Sequence, residues 1–236
     1  MPAPLSVVVP TLEAEAGLAR TLASLGAANE GGLIREVVVT DGGSADATLA
    51  IADEAGCRVV TGAPGRGGQL ARGAEAARAP WMLFLHADTE LEDGWAAEAA
   101  ALMARGGAAG AFRHAFRRAG APPAGAALGR AVSLGTNLRT RALRLPYGDQ
   151  GLLIAKAHYA RAGGYADVPL FEDVGLVRRI VAEGGRAALR PMRARAVTSP
   201  ERYERDGYVR RVARNQGLVL RYLRGTPPAR LADLYR

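Results

Sequence analysis

The chain has one cysteine, three histidines and almost no lysine. Cys57 on its own excludes an internal disulfide and any cysteine-based zinc site, and its setting, Cys57 to Val60, predicts a strand in the core. No apolar run approaches the roughly 18 residues of a membrane span. The opening MPAPLSVVVP lacks the basic region and cleavage site of a signal peptide, so it reads as a first strand, and a cytoplasmic location is the expectation. Internal repeats and low-complexity linkers are also missing, and 236 residues suit one domain with a real core. The net charge of +8 is carried almost entirely by arginine, concentrated from Arg178 onward. That balance suits an anionic partner such as a nucleotide diphosphate, a phospholipid surface or nucleic acid, although GC-rich coding explains it equally well. Tyr203 and Tyr208 lie among those arginines, but no recognisable nucleic-acid-binding motif does, which disfavours nucleic acid.

What is present is an alternation of strands and helices. Leu5–Val9 is a valine-rich strand stopped by Pro10, followed by Leu18, Leu22 and Leu25 at helical spacing. Glu36–Thr40 is a second strand, Asp41-Gly42-Gly43 a turn, and Ser44 the expected N-cap of a helix through Ala55. Strand Arg58–Thr61 leads through a glycine-rich loop, Gly62–Gly68, to a helix over Gln69–Ala79. Trp81–Leu85 is an apolar strand running into His86, Asp88 and Glu90. Four such units predict a parallel, doubly wound sheet in the nucleotide-binding half, residues 1–105.

The second half, residues 106–236, changes character. Ala108–Arg117 alternates like a half-exposed strand, and Ala124–Leu145 reads as a helix. A polar loop, Pro146–Gly151, leads to strand Leu152–Ala155, and Leu170-Phe171-Glu172-Asp173 opens another helix. Asp93 and Asp206 are expected helix caps. The last sixty residues look mainly helical, with Val209, Val212, Leu220 and Leu223 inside and a tail over Ala229–Tyr235.

Asp41 and Asp88 follow strand ends, where open α/β sheets bind ligands. A carboxylate at Asp41 can accept hydrogen bonds from a base or ribose, or simply hold the Gly42-Gly43 turn. A hard cation bridging two phosphates needs one or two protein carboxylates, which Asp88 can supply, and His86 two residues earlier can add a ligand or touch the ribose. The dull alternative is a capping aspartate in a strand-end turn. Arg66 is a diphosphate contact or a solvated charge. Glu172 and Asp173 open a helix, where acids are favoured in any protein. A base there would act by positioning an acceptor hydroxyl more than by high basicity.

Together these residues resemble a family-2 glycosyltransferase of the GT-A fold, over roughly Leu5 to Tyr235. The resemblance rests on the first strand with Pro10-Thr11, the Val39–Asp46 turn, Leu85-His86-Ala87-Asp88-Thr89 and Glu172-Asp173. Arg66…Gln69, Pro146–Gly151 and Pro169–Val174 narrow it to a small soluble bacterial branch. It implies an α/β Rossmann-like, mostly parallel sheet flanked by helices, with a helical acceptor-side region. It also implies transfer of a sugar from a nucleotide-diphosphate donor to a hydroxyl, with inversion and Mn²⁺ or Mg²⁺. Pro10, Thr11, Glu13, Asp41, Arg66 and His86 would face the nucleotide, and Asp88 the metal. Asp173, with Glu172 beside it, would be the base, and Asp149 and Gln150 would hold a sugar. A lipid-linked acceptor and peripheral membrane contact through Arg210, Arg211 and Arg214 at the inner membrane fit the same picture. The chain departs from the family in having Glu13-Ala14-Glu15 for Asn-Glu and His86 for the first acid of Asp-X-Asp. Two other readings compete: a sugar-phosphate nucleotidyltransferase, disfavoured by the acidic Thr11–Gly17 loop, and a non-enzymatic basic protein binding membrane or nucleic acid.

Overall fold

Strand β1 (Leu5–Thr11) is apolar on both faces because it lies inside the sheet. Leu5, Val7 and Val9 pack with Leu18 on one side, while Val8 packs with Val38 and Met82 on the other. The computed structural model describes residues 3–117 and 123–235. Helices α1 (Glu15–Ala23) and α2 (Gly26–Glu30) lead to β2 (Ile34–Asp41), then α3 (Thr48–Glu54), β3 (Arg58–Thr61), α4 (Arg66–Ala76) and β4 (Trp81–Phe84). Strands β1 to β4 are parallel, as the alternation predicts, in the order β3-β2-β1-β4.

Pro10 does not stop β1. Val8 accepts a hydrogen bond from the Leu85 N–H on the β4 side. Two residues on, Pro10 faces the same side, where pairing with β4 has already ended at Phe84, so its missing N–H leaves no ladder bond broken.

After β4 the chain turns through His86–Asp88 into a short strand, β5 (Thr89–Leu91), and α5 (Trp95–Arg105). Strand β6 (Ala109–Phe116), helix α6 (Pro123–Leu143), strand β7 (Leu152–Ala155) and helices α7 (Lys156–Arg161) and α8 (Glu172–Gly184) follow. Next come β8 (Leu189–Thr198), α9 (Glu201–Asp206), α10 (Tyr208–Leu223) and α11 (Pro228–Tyr235). The eight strands form one mixed sheet, β3-β2-β1-β4-β7-β6-β8-β5, flanked by helices and followed by a helical C-terminal region, the α/β arrangement that the sequence resemblance implies. Among the described residues no helix is long and apolar enough to cross a membrane.

Several sequence expectations are corrected. Strand β8 lies within the stretch read as mainly helical. Its arginines and alanines are good helix formers, yet from Arg193 to Thr198 the exposed Arg193 and Arg195 alternate with the buried Ala196 and Thr198 at the two-residue period of a strand, after an irregularity in the pairing with β6 that puts Leu189 and Met192 three residues apart. Ser44 and Asp93 do not cap helices: α3 starts at Thr48 behind Ala47, and α5 starts behind Gly94. Gly67 and Gly68 belong to α4, not to a loop. Asp206 ends α9 instead of capping α10. Val209, Leu220 and Leu223 are exposed, not inside. Cys57 lies just before β3 and is half-buried, and burial pushes its thiol up to about 11.

Candidate active site

Three strand ends converge at the C-terminal edge of the parallel strands. At the end of β2, Asp41 is fully enclosed. Its carboxylate accepts hydrogen bonds from Thr11 Oγ1 at 2.9 Å, Gly43 N at 2.7 Å, Ser44 N at 2.8 Å and Ser44 Oγ at 2.6 Å. Burial alone would raise its pKa, but the Ser44 hydroxyl and N–H, the Gly43 N–H and the Thr11 hydroxyl outweigh it and hold the carboxyl below its ordinary value. Gln69 from α4 donates to Thr11 O at 2.6 Å and Thr40 O at 2.7 Å, tying the ends of β1 and β2 together. Glu13 closes this loop, donating its N–H to Ser44 Oγ and accepting from Ala45 N.

The His86–Asp88 turn is held from α1. Thr21 Oγ1 donates to Ala87 O at 2.8 Å, and a Cβ on Gly17 would come within 2.9 Å of that same oxygen, so only glycine lets α1 approach this closely. Among the described residues, Asp88 has one side-chain hydrogen bond, from Thr89 Oγ1 at 3.3 Å. Its carboxylate therefore faces the opening.

On the far side, Phe171 begins α8 in the left-handed conformation, φ +64°, unusual for a bulky side chain and strained. Its ring stacks on Tyr222, and the next two residues, Glu172 and Asp173, turn inward. Glu172 pairs with Arg66, whose side chain stays partly exposed at the opening. Burial pushes the Glu172 carboxyl up while Arg66 draws it back, with a net rise. Asp173 accepts from Gly148 N at 2.6 Å. A Cβ on Gly148 would lie 2.7 Å from His86 Nε2 and 3.3 Å from Asp173 Oδ2, so this glycine is where the β4 turn and α8 meet. Burial, then Arg66, lowers the His86 pKa, which keeps the ring neutral near pH 7.

Two cavities lie on either side of this meeting point. The larger, about 470 Å³, is bordered by Pro10, Thr11, Glu13 and Gln69. The smaller, about 140 Å³, holds Asp149, Asp173 and Tyr203. Arg66, His86, Asp88, Ser199 and Arg202 line both. The structure thus brings Pro10, Thr11, Glu13, Arg66, His86, Asp88, Asp149 and Asp173 to one opening. Asp41, Glu172 and Gln150 stay beneath it. Gln150 is fully enclosed, its amide accepting from Thr140 Oγ1 and donating to Phe112 O.

The sequence did not single out His114, Tyr147 or Asn215. His114 Nε2 lies 3.6 Å from Asp149 Oδ2, and burial lowers its pKa against the pull of that carboxylate. The Arg139 guanidinium sits 3.4 Å over the Tyr147 ring. No sequence signal links these residues, because they come from β6, α6, a loop and α10. Arg211, expected on a membrane-facing surface, is buried and paired with Asp206. Among the described residues no three His, Cys, Asp or Glu side chains form a metal cage. The single open carboxylate of Asp88 still fits a cation that takes most of its oxygen ligands from a diphosphate and water.

Comparison with solved structures finds the same fold. Glucosyl-3-phosphoglycerate synthase from Mycobacterium tuberculosis, in complex with Mn²⁺ and uridine-diphosphate-glucose, superposes with a TM-score of 0.60 at 21% identity. The match covers 83% of this chain and 70% of that one. A crystal structure of S. aureus TarS residues 1–349 gives 0.61 at 16%, covering 84% and 61%. A further crystal structure, of a mycobacterial protein, gives 0.58 at 22%, with 82% of this chain spanning 65% of that one's length. No curated protein matches the chain. Residues 6–141, more than half of the chain, match Glycosyl transferase family 2, and the chain belongs to that family.

Proposed function

We propose that the protein transfers a sugar from a nucleoside diphosphate donor to an acceptor hydroxyl, inverting the anomeric carbon. The observation that carries this reading is the pair of cavities sharing one wall, Arg66–His86–Asp88. The donor nucleotide occupies the larger cavity against Pro10, Thr11 and Glu13. The acceptor enters the smaller one, where Asp173 waits.

Asp88 holds Mn²⁺ or Mg²⁺ at the diphosphate, with neutral His86 beside it. Both ions accompany uridine-diphosphate in structures of the mycobacterial synthase. When bound, such an ion neutralises charge growing on the departing diphosphate. Asp173 accepts the acceptor's proton as its oxygen bonds to the anomeric carbon and the bond from that carbon to the phosphate oxygen breaks. Attack from the face opposite the leaving group gives inversion. The Gly148 N–H orients the Asp173 carboxylate. Arg66, tied to Glu172, presents positive charge to both cavities. Asp41 organises the nucleotide loop from beneath, and Gln150 holds the Tyr147–Gln150 turn instead of touching sugar.

Calorimetric titration with a panel of nucleoside diphosphates, with and without Mn²⁺, tests the reading. Metal-dependent binding that disappears in Asp88→Ala is expected. Absence of binding to every member of the panel would overturn it.

A further inference from the structure

Helices α6 and α10 lie side by side and leave between them a groove of about 730 Å³. Leu128, Val132 and Leu143 line it from α6, and Val209, Val212 and Leu220 line it from α10. Leu143 is 65% exposed, Val209 73% and Leu220 51%, so large apolar side chains face solvent along one continuous trough. The trough does not end blindly. Tyr147, Asp149, Tyr203, Asn215 and Val219 line both the groove and the cavity that holds Asp173. Three of those five carry an enclosed polar atom without a partner among the described residues: the Tyr147 hydroxyl, Asp149 Oδ1 and Asn215 Oδ1.

An enclosed polar atom without a protein partner is costly unless an ordered water or a ligand meets it. Here three stand where an apolar trough joins the cavity of the candidate base. Passing inward, the lining changes from aliphatic side chains, to the polar residues Tyr147, Asp149 and Asn215, to the Asp173 carboxylate. That is the sequence of surfaces an amphiphile presents from tail to head.

We propose that the acceptor is an amphiphilic alcohol with a long aliphatic or isoprenoid chain. The chain lies in the α6–α10 groove, the polar head passes between Tyr147, Asp149 and Asn215, and the hydroxyl reaches Asp173. This rests on the transfer reading above and names the substrate class for it. A second copy of the protein, or a membrane surface, could cover the outer rim. Neither accounts for the groove opening inward onto Asp173, nor for the polar atoms at the junction.

Gly135 offers a clean plug. It lines the groove from α6, and a Cβ placed there meets nothing within 4 Å, so Gly135→Trp fills the trough without displacing backbone. The whole chain is loaded with Nile red, an uncharged dye, and the dye is displaced by primary alcohols from hexanol to dodecanol. Nucleoside diphosphate binding is titrated on the same samples. Inhibition constants should fall about fourfold per added methylene. Gly135→Trp should raise the dodecanol constant by about fifteenfold or more, the loss of two methylenes of burial, with nucleoside diphosphate binding unchanged. Leu220→Gln, at an exposed position, gives the same test if the tryptophan variant does not fold. A flat chain-length series, or one unaltered by both variants, overturns the proposal. So does a dimer, or vesicle binding, that the variants abolish while the alcohol series stays flat, since the groove then belongs to a second copy or to a membrane. Dodecanol binding in the groove of a chain that binds no nucleoside diphosphate would instead remove the transfer reading, and the acceptor role with it.

Discussion

The strand ends of β1–β4 and the region from β6 to α11 handle buried polar groups in opposite ways. Among the described residues, the enclosed side-chain polar atoms without a protein partner are Thr40 Oγ1 and Arg72 Nε in the first half and seven from Arg117 onward. Asp41 alone gathers four donors, and Gln69 ties two backbone carbonyls, so the floor of the larger cavity is complete from the protein's own groups. The other side keeps Tyr147, Asp149, Glu172 and Asn215 atoms unmet, beside an apolar groove open to solvent. A site that must hold one kind of nucleotide can be finished in advance. A site that must admit, align and deprotonate an acceptor keeps hydrogen-bonding capacity open, at some expense in stability.

The sharpest way to break this division is to separate chemistry from nucleotide binding. Asp173→Asn keeps the shape of the side chain and removes its capacity to take a proton. It should lower kcat by about 10²- to 10⁴-fold, while nucleoside diphosphate affinity, measured by calorimetry, stays within about twofold because the residue makes no contact with the larger cavity. Equal loss of both would mean the two regions do not act separately. Asp41→Ala should show the reverse pattern. Four donors lose their acceptor, and the expected destabilisation is about 3 kcal/mol in urea unfolding. Nucleotide affinity should fall as the Thr11–Glu13 and Gly43–Ser44 segments come apart, with turnover at saturating donor little changed. A variant with normal stability and lost affinity would instead put Asp41 in direct contact with the base.

How much of this was readable in the sequence follows the same line. The four parallel strands, the Asp41 turn, the His86–Asp88 strand end and the Glu172-Asp173 helix start are local features, each within a few consecutive residues, and periodicity and turn chemistry expose them. The enclosure of Asp41 and Gln150 was not readable, because it depends on partners from distant segments: Thr11 for one, Thr140 and Phe112 for the other. Strand β8 was hidden by composition, since alternating arginine and alanine satisfies helix propensity as well as a two-residue period. The α6–α10 groove was misread outright. Val209, Leu220 and Leu223 have the spacing of a helix's core face, and nothing in the spacing says that the face stays open.

The smallest effect concerns acid. Burial lowers the pKa of His114 in β6, so the folded state takes up a proton less readily than the unfolded chain, whose imidazole titrates near about 6.5. Stability from this group is full above that value and is lost as pH falls below it, by at most about 1.4 kcal/mol per pH unit for each proton. Asp41 works at a different pH. Its pKa is lowered, so its contribution is present above the ordinary carboxylate range near about 3.9 and disappears only as pH falls through its lower folded value. Acid should therefore act on β6 and α6 through His114, and on the β4 turn through His86, whose pKa burial also lowers, before it removes the Asp41 contribution at β1 and β2. Amide hydrogen exchange is expected to show protection in β6 and α6 weakening as pH falls below about 6.5, with the Asp41-dependent protection of β1 and β2 lost only below about pH 4. His114→Gln, which keeps a polar side chain facing Ser133 and Asp149, should flatten the first transition and leave the second alone. If both regions lose protection together near neutral pH in the unmodified chain, the difference between a finished nucleotide floor and an unfinished acceptor side does not extend to stability.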